Sequence, residues 1–551
     1  MLRPRHKTRA VLAVLPVLLL VASGHAAPGD VLQTHEAPCE YPAGLAAAGD
    51  HLYLLDWREA KLFRVEMQTG AVQRSWDAPT LRPRGLAHAD GRLFISDDRT
   101  GRIYTFNPDT GVVENTFDAP GRRPSGLAYS AGVLYVLERA SRKVYRVLPE
   151  DGTILGYFAL PNRDCADLTH DGRYLWTSNR VKDELYMVHP ETGQVIGILA
   201  APGPHATGLA WDGDTLWNAD FQTRKLYRLQ IKSDPMYRVF DQRTARCEYY
   251  WTLYNYGPAR VFDVTLNLAV PAPLVNQQLL TEPRFSPAPD EIRTDRWGQR
   301  CALFRLPGAD AGRRLEVRCE AEVALAALRY LIIPEKTGTL ADIPAEIREA
   351  YLADDSRYRI DSPFIQETVR KVVGDEQNPY WIARRIYDYV IDKLTYEMVG
   401  GWDVPEVVLR RGSGSCSEYT FAFIALCRAA GLPARYQGSI VIRNDDASVD
   451  EAFHRWAQIY LPNYGWVPVD ANKGDAESPA DQARGFGELD NRYLITTHGG
   501  GGSEYLHWGY NSYVHYRADG YCMVERETYG FWEPHDTPPE QVQAGTDQAE
   551  P

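Results

Sequence analysis

The sequence predicts a multidomain chain in three parts: a five-bladed all-β propeller, a small β-sandwich, and an α+β core built around one helix. Three observations carry this reading. Residues 30–232 repeat every 41 residues, residues 236–340 alternate apolar and polar side chains between proline-rich turns, and residues 341–533 set amphipathic helical stretches before a cysteine-led helix and a strand pair.

The chain opens with Arg3, Arg5, Lys7 and Arg9, then AVLAVLPVLLLVA, then SGHAA. A basic start, a short apolar run and small residues read as a secretory signal peptide over 1–26, cut after Ala26 or Ala27. The run is too short for a comfortable span and holds Pro16, and no later run is long enough. The mature protein is therefore expected to be exported, periplasmic or extracellular, with no membrane span. The net charge is −13, and loss of those four basic residues makes it −17. An acidic surface argues against nucleic acid as a partner.

From residue 30 the repeat shows in several columns. Gly44, Gly85, Gly126, Asp167 and Gly208 fall 41 apart, as do Pro38, Pro79, Pro120, Pro161 and Pro202 and the aromatic column Tyr53, Phe94, Tyr135, Trp176 and Trp217. Each unit reads as four short strands, the pattern of a propeller blade. The fifth unit supplies only three, ending at KLYRLQI, and VLQTHEAPCEYPAGLA aligns with VENTFDAPGRRPSGLA. The first strand is thus expected to complete the last blade and close a ring over 30–232. The repeats resemble NHL and related propeller repeats. Asp56, Asp97, Glu138, Asn179 and Asp220 keep the same beat between the second and third strands, where a side-chain oxygen serves turn backbone. Binding would come instead from residues that differ between repeats, such as His205, Arg163 and Arg82, and a protein partner on the propeller is one such expectation.

Residues 236–340 follow with RCEYYWTLYNYG, ARVFDVTLNLAV, CALFRLPG and RRLEVRCEAEVALAALRYLII, read as the sandwich. IPAEIREAYLAD, SPFIQETVRKVVGD and NPYWIARRIYDYVIDKL have helical spacing, with Asp361-Ser362-Pro363 and Asn378-Pro379 as starts.

Cys416 opens SEYTFAFIALCRAAGLP after a Gly/Ser turn, so the spacing places a thiol at a helix N-terminus. Unpaired amides and the positive dipole end there favour the thiolate, and the same amides can receive an oxyanion. His454 lies in FHRWAQIYL, an alternating strand, and Asp470 ends the next strand, GWVPVDAN. With a three-residue loop between them, Leu461 faces Gly465 and Trp456 faces Asp470, and Asp470 becomes a diagonal same-face neighbour of His454. A two- or four-residue loop would put the pair on opposite faces. Cysteine, histidine and carboxylate in this order suit thiol acyl transfer.

GSGSCSEYTFAFIALCRAAGLPARYQG followed by HRWAQIYLPNYGWVPVDAN resembles the core of the transglutaminase-like superfamily of cysteine enzymes, a papain-like α+β fold, over roughly 344–475. The resemblance implies Cys416 as nucleophile, His454 as base and Asp470 as orienting carboxylate, acting on amide carbonyls of protein, peptide or cell-envelope substrates by hydrolysis or acyl transfer. No metal or organic cofactor is required. The upstream side-chain oxyanion donor of that family has no firm counterpart, and Tyr396 is the nearest candidate.

Other readings stand beside this one. Cys416, His454 and Asp470 could ligate zinc, but no paired C-x-x-C or H-x-x-x-H spacing supports it, and no acidic calcium loop is present. The alternative from another class is a non-catalytic, propeller-based binding or scaffold protein of the cell envelope. Of the eight cysteines, Cys416 and Cys427 are read as free, Cys427 as core, and Cys301–Cys319 as the first candidate disulfide among the remaining six. Gly499 to Gly502 form a loop suited to a cleft edge, and the tail from Pro534 is expected to be disordered.

Overall fold

A computed structural model describes residues 26–398, 402–442, 448–450 and 453–534. The expected signal peptide, but for Ala26, and the tail past Pro534 lie outside these residues.

Residues 31–229 form five antiparallel four-stranded sheets. The first runs Pro42–Ala48, His51–Asp56, Lys61–Glu66 and Val72–Asp77, and the next three follow in chain order. The fifth takes Ala206–Trp211, Leu216–Asp220 and Lys225–Leu229 and adds Val31–Glu36 from the chain start, with Val31 opposite Leu229 and Glu36 opposite Lys225. The repeated carboxylate column bonds turns: Asp56 Oδ1 accepts from the amides of Arg58 and Glu59, both at 2.8 Å, and Asp97 and Asn179 do the same two and three residues on. The glycine column allows first strands to touch. A Cβ on Gly85 would lie 1.8 Å from the Ser125 carbonyl oxygen, and one on Gly208 would lie 2.2 Å from that of Ala43.

The closed five-bladed, NHL-like propeller expected for this segment is corrected. Among the described residues the strands make five separate four-stranded units, no strand of one sheet is paired with a strand of another, and no sheet closes on itself. Each fourth strand ends its own ladder, because among the described residues no strand pairs with its far edge. The protein-docking surface expected on a propeller falls with that architecture.

The small sandwich of 236–340 is corrected too. Tyr237–Pro258 pairs along nearly its whole length with Arg313–Tyr330, but its other edge is taken by Cys522–Pro534 from the far end of the chain. In the neighbouring sheet, Val261–Ala269 lies between Arg300–Leu306 and Ser512–Ala518. Long-range pairing of the last strands fuses this region to the C-terminal α+β part, so the two sheets are not a self-contained unit. Cys301 and Cys319 sit in different sheets, and among the described residues every cysteine is free, which removes the expected disulfide.

The α+β part packs helices Pro363–Val373, Pro379–Lys393, Pro405–Arg411 and Cys416–Ala429 against a sheet ordered Gly465–Val469, Phe453–Leu461, Ala434–Val441, Tyr493–Gly499. Every residue from Cys416 to Arg428 is buried, as befits a helix apolar on nearly all sides and enclosed by neighbours. Cys427 is fully buried, and burial pushes its thiol well up.

The fourth of the five sheets is where this part docks. Its outer strands, Glu184–Val188 and Val195–Ala200, are buried almost throughout, whereas the equivalent Val72–Asp77 and Val112–Asp118 are largely exposed. The sequence difference is plain: VIGILA against VQRSWD and VVENTFD. Polar ties close the contact. Arg484 Nη2 donates to both oxygens of Glu184 at 2.6 Å, Arg384 donates to the Val195 carbonyl at 3.1 Å, and Gln194 donates to Asp388 at 2.5 Å.

Candidate active site

The site is assembled from the N-terminus of the Cys416–Ala429 helix and the hairpin Phe453–Leu461/Gly465–Val469. Ser415 precedes the helix, and the Glu418 carboxylate reaches back to the Ser415 amide at 2.9 Å, one arm of a capping box. Glu418 is itself held by Arg411 at 2.9 Å. This arrangement fixes the first turn and with it the Cys416 side chain, which is 8% exposed. One residue from the helix also ties it to the hairpin: the Thr420 hydroxyl lies 2.8 Å from the Cys416 carbonyl oxygen and 3.0 Å from that of Arg455.

In the hairpin Leu461 faces Gly465 and Ala457 faces Val469, the register of a three-residue loop. Asn463 in that loop adopts φ 67°, left-handed backbone that asparagine tolerates. Asp470 therefore lands on the His454 side, and His454 Nε2 and Asp470 Oδ2 are 2.6 Å apart. Asp470 Oδ1 takes the Lys473 amide at 3.0 Å, and the Asp470 amide donates to the Gly485 carbonyl at 2.7 Å. The imidazole stacks on Tyr493, ring centres 5.4 Å apart.

The electrostatics follow from these contacts. Burial pushes the Cys416 thiol up, but the hydrogen bond and charge of His454 outweigh it and leave the thiol below its ordinary value. Burial works against a charged His454, yet Asp470 and Cys416 together raise it to about 10. Burial likewise opposes a charged Asp470, and His454 holds it below the usual carboxylate range. The three groups thus favour a thiolate beside an imidazolium beside a carboxylate.

Tyr396 lies within reach of the charge on Cys416, which after burial pushes its phenol up. It is 47% exposed, on a two-residue strand beside Ser413–Gly414, and among the described residues makes no hydrogen bond to Cys416. Tyr510 also stands at the thiol. Its hydroxyl is 3.4 Å from Cys416 Sγ and 2.5 Å from the Ser417 hydroxyl, and burial followed by the nearby Cys416 charge pushes the phenol up, so it remains protonated. Beneath it Arg455 is fully buried, its guanidinium within 4.2 Å of the Tyr510 ring centre and 4.8 Å of those of Trp402 and Tyr436, with Nη2 donating to the Trp508 carbonyl at 2.6 Å. Sequence reasoning missed Tyr510 because it lies 94 residues from Cys416 in a loop without periodicity. The aromatic run around Trp508 was its only signal. The Gly499–Gly502 loop packs elsewhere, against Trp297 and Asp355.

Comparison with known proteins places the same residues in a family context. Residues 366–471 match the transglutaminase-like superfamily. The matched span contains Cys416, His454 and Asp470, and superfamily-level similarity to cysteine enzymes is thereby supported. An uncharacterized protein of Haemophilus influenzae is 30% identical over 131 residues, 19% of this chain and 35% of that protein. The uncharacterized protein YebA of Bacillus subtilis is 26% identical over 122 residues, 19% of this chain and 17% of YebA. The chain thus spans about a third or less of the length of these relatives. Among solved structures, a candidate cysteine protease from Cytophaga hutchinsonii aligns with 15% identity and a TM-score of 0.37, covering 54% of this chain and 100% of that one. Glutaminyl cyclase from Myxococcus xanthus aligns with 15% identity and a TM-score of 0.34, covering 38% and 98%. Among the described residues no helix is long and apolar enough to cross a membrane, and no cluster of three or more metal-ligating side chains occurs.

Proposed function

We propose that this chain is a cysteine-nucleophile enzyme acting on amide carbonyls, with Cys416 as nucleophile, His454 as acid and base, and Asp470 as the group that orients the imidazole. The observation that carries the reading is the 2.6 Å contact between His454 Nε2 and Asp470 Oδ2 beside a thiol held at a helix N-terminus. With Nε2 committed to Asp470, the other ring nitrogen is left for the sulfur and the substrate.

In this reading the Cys416 thiolate adds to the carbonyl carbon. The developing oxyanion meets the N-terminal amides of the helix and the Tyr510 hydroxyl, donors fixed before the reaction begins. His454 protonates the departing nitrogen as the C–N bond breaks, leaving a thioester and a neutral imidazole. That imidazole then takes a proton from water, the hydroxide adds, and the carboxylic acid leaves as the C–S bond breaks and the thiolate returns. Hydrolysis is favoured over transfer to an amine because no dedicated amine-acceptor site is evident among the described residues.

A brief iodoacetamide pulse near neutral pH, read by peptide mass spectrometry, tests the proposal. Cys416 should be alkylated well ahead of the buried Cys165, Cys247 and Cys427, and His454→Ala should abolish that preference. Equal slow labelling of Cys416 in both proteins would count against an activated thiolate.

A further inference from the structure

The repeat that builds the five sheets also builds a second site. Position 57 of the first repeat recurs at 98, 139, 180 and 221, directly after the turn-bonding column, and there the residue changes each time: Trp57, Asp98, Arg139, Arg180, Phe221. A column that served the sheets would keep its chemistry. Four of these five residues, Trp57, Arg139, Arg180 and Phe221, line one cavity of about 330 Å³, within the range of small-molecule pockets, and His205 and Arg84 line it too.

The charges in this cavity do not balance internally. Arg84 is spoken for: it pairs with Asp98 at 2.8 Å and lies over the Trp57 ring at 4.3 Å. Arg139 and Arg180 have no hydrogen bond or ion pair to a carboxylate among the described residues, and Arg180 Nε is buried without any partner. Of the nearby carboxylates, Asp183 and Asp220 act on His205 rather than on the two guanidinium groups. Asp220 accepts the His205 amide at 2.6 Å and the Thr223 amide at 2.7 Å, and Asp167 accepts the Leu209 amide at 2.9 Å. Burial, then the charges of Arg180 and Arg84, hold the Arg139 guanidinium below its ordinary value, and burial with Arg180 does the same to His205. Two guanidinium groups lining one cavity without a carboxylate bonded to either favour occupation by an anion.

We propose that this cavity binds a small organic anion, its phosphate or carboxylate gripped between Arg139 and Arg180 and its ring or apolar body set against Trp57 and Phe221. Guanidinium forks suit either oxyanion, and the aromatic pair excludes a bare inorganic ion as the best fit. The site does not depend on the thiol chemistry and should persist in Cys416→Ala.

The test is calorimetric titration of the full chain with phenyl phosphate, benzoate and inorganic phosphate. Phenyl phosphate or benzoate should bind more tightly than inorganic phosphate, and the better of the two identifies the oxyanion. Arg139→Gln and Arg180→Gln should each weaken that binding by roughly tenfold or more, while exposed Arg122→Gln leaves it unchanged and all three keep wild-type iodoacetamide reactivity at Cys416. Should the cavity variants fold poorly, phenylglyoxal labelling of the wild type replaces them: the bound probe should slow modification of Arg139 and Arg180 but not of Arg122. Absence of binding by every probe, or binding indifferent to both variants and without protection, would overturn the proposal.

Discussion

His454 Nε2 and Asp470 Oδ2 lie 2.6 Å apart across a hairpin whose loop is three residues long. One residue more or fewer in that loop would turn Asp470 to the opposite face of the sheet. Asp470→Asn keeps the shape but replaces an acceptor that fixes the ring with an amide that can present its N–H₂. Amide turnover should fall about 10²- to 10⁴-fold, with KM little changed, as checked by steady-state kinetics on a peptide or amide substrate.

The charge state of the site sets its pH dependence. Cys416 is lowered, so its thiolate is present above that depressed value and is lost as pH falls through it. His454 is raised, so its proton persists up to about 10 and is lost above. A bell-shaped profile of kcat/KM should result, its alkaline limb near about 10 and its two limbs belonging to the coupled pair. Removing the carboxylate in Asp470→Asn should move the alkaline limb downward, a shift that a purely structural role for Asp470 would not produce.

Tyr510 should behave as an oxyanion donor. Tyr510→Phe retains the ring over Arg455 and removes only the hydroxyl near Cys416. A loss of about 10- to 10³-fold in kcat is expected with iodoacetamide labelling of Cys416 retained, because alkylation builds no oxyanion. Tyr396→Phe tests the other candidate donor: Tyr396 is 47% exposed, although the Cys416 charge reaches it, and a smaller loss than at Tyr510 is expected from the same kinetics.

Two glycines keep Asp470 in place. A Cβ on Gly474 would lie 1.5 Å from the Tyr387 hydroxyl oxygen, and one on Gly485 would lie 2.5 Å from the Asp470 carbonyl oxygen. Tyr387 is fully buried and donates to the Gln482 carbonyl at 2.5 Å, so it has little room to yield. Gly474→Ala should cost about 1–3 kcal/mol and lower turnover by displacing Asp470. Adding Tyr387→Phe should recover part of both, as measured by chemical denaturation and kinetics on the double variant.

The Arg484–Glu184 ion pair joins two parts of the chain 300 residues apart. Arg484→Met alone leaves Glu184 with the Tyr186 hydroxyl at 2.9 Å and Arg329 at 3.9 Å, and a destabilisation of about 1–3 kcal/mol is expected. The Glu184→Gln/Arg484→Met pair should be less destabilised than the single variant, as read from thermal unfolding of both.

The sequence by itself determined what is local. The 41-residue period specifies four strands per unit and the turn-bonding carboxylates between them, because both depend on residues within one repeat. The Gly/Ser turn before Cys416 and the Gly431-Leu432-Pro433 stop delimit a helix from neighbours along the chain, whereas parity puts Asp470 on the face of His454 only for a three-residue loop, a register that the folded hairpin supplies. Only the tertiary structure decided that the five units remain separate sheets, that the strands Ser512–Ala518 and Cys522–Pro534 complete sheets begun more than 240 residues earlier, and that Tyr510 stands at the thiol. Those outcomes rest on which exposed edge or apolar surface finds a partner far away in the chain. Periodicity and spacing record how a residue relates to its near neighbours, whereas pairing across hundreds of residues is settled by competition among surfaces that only the folded chain brings together.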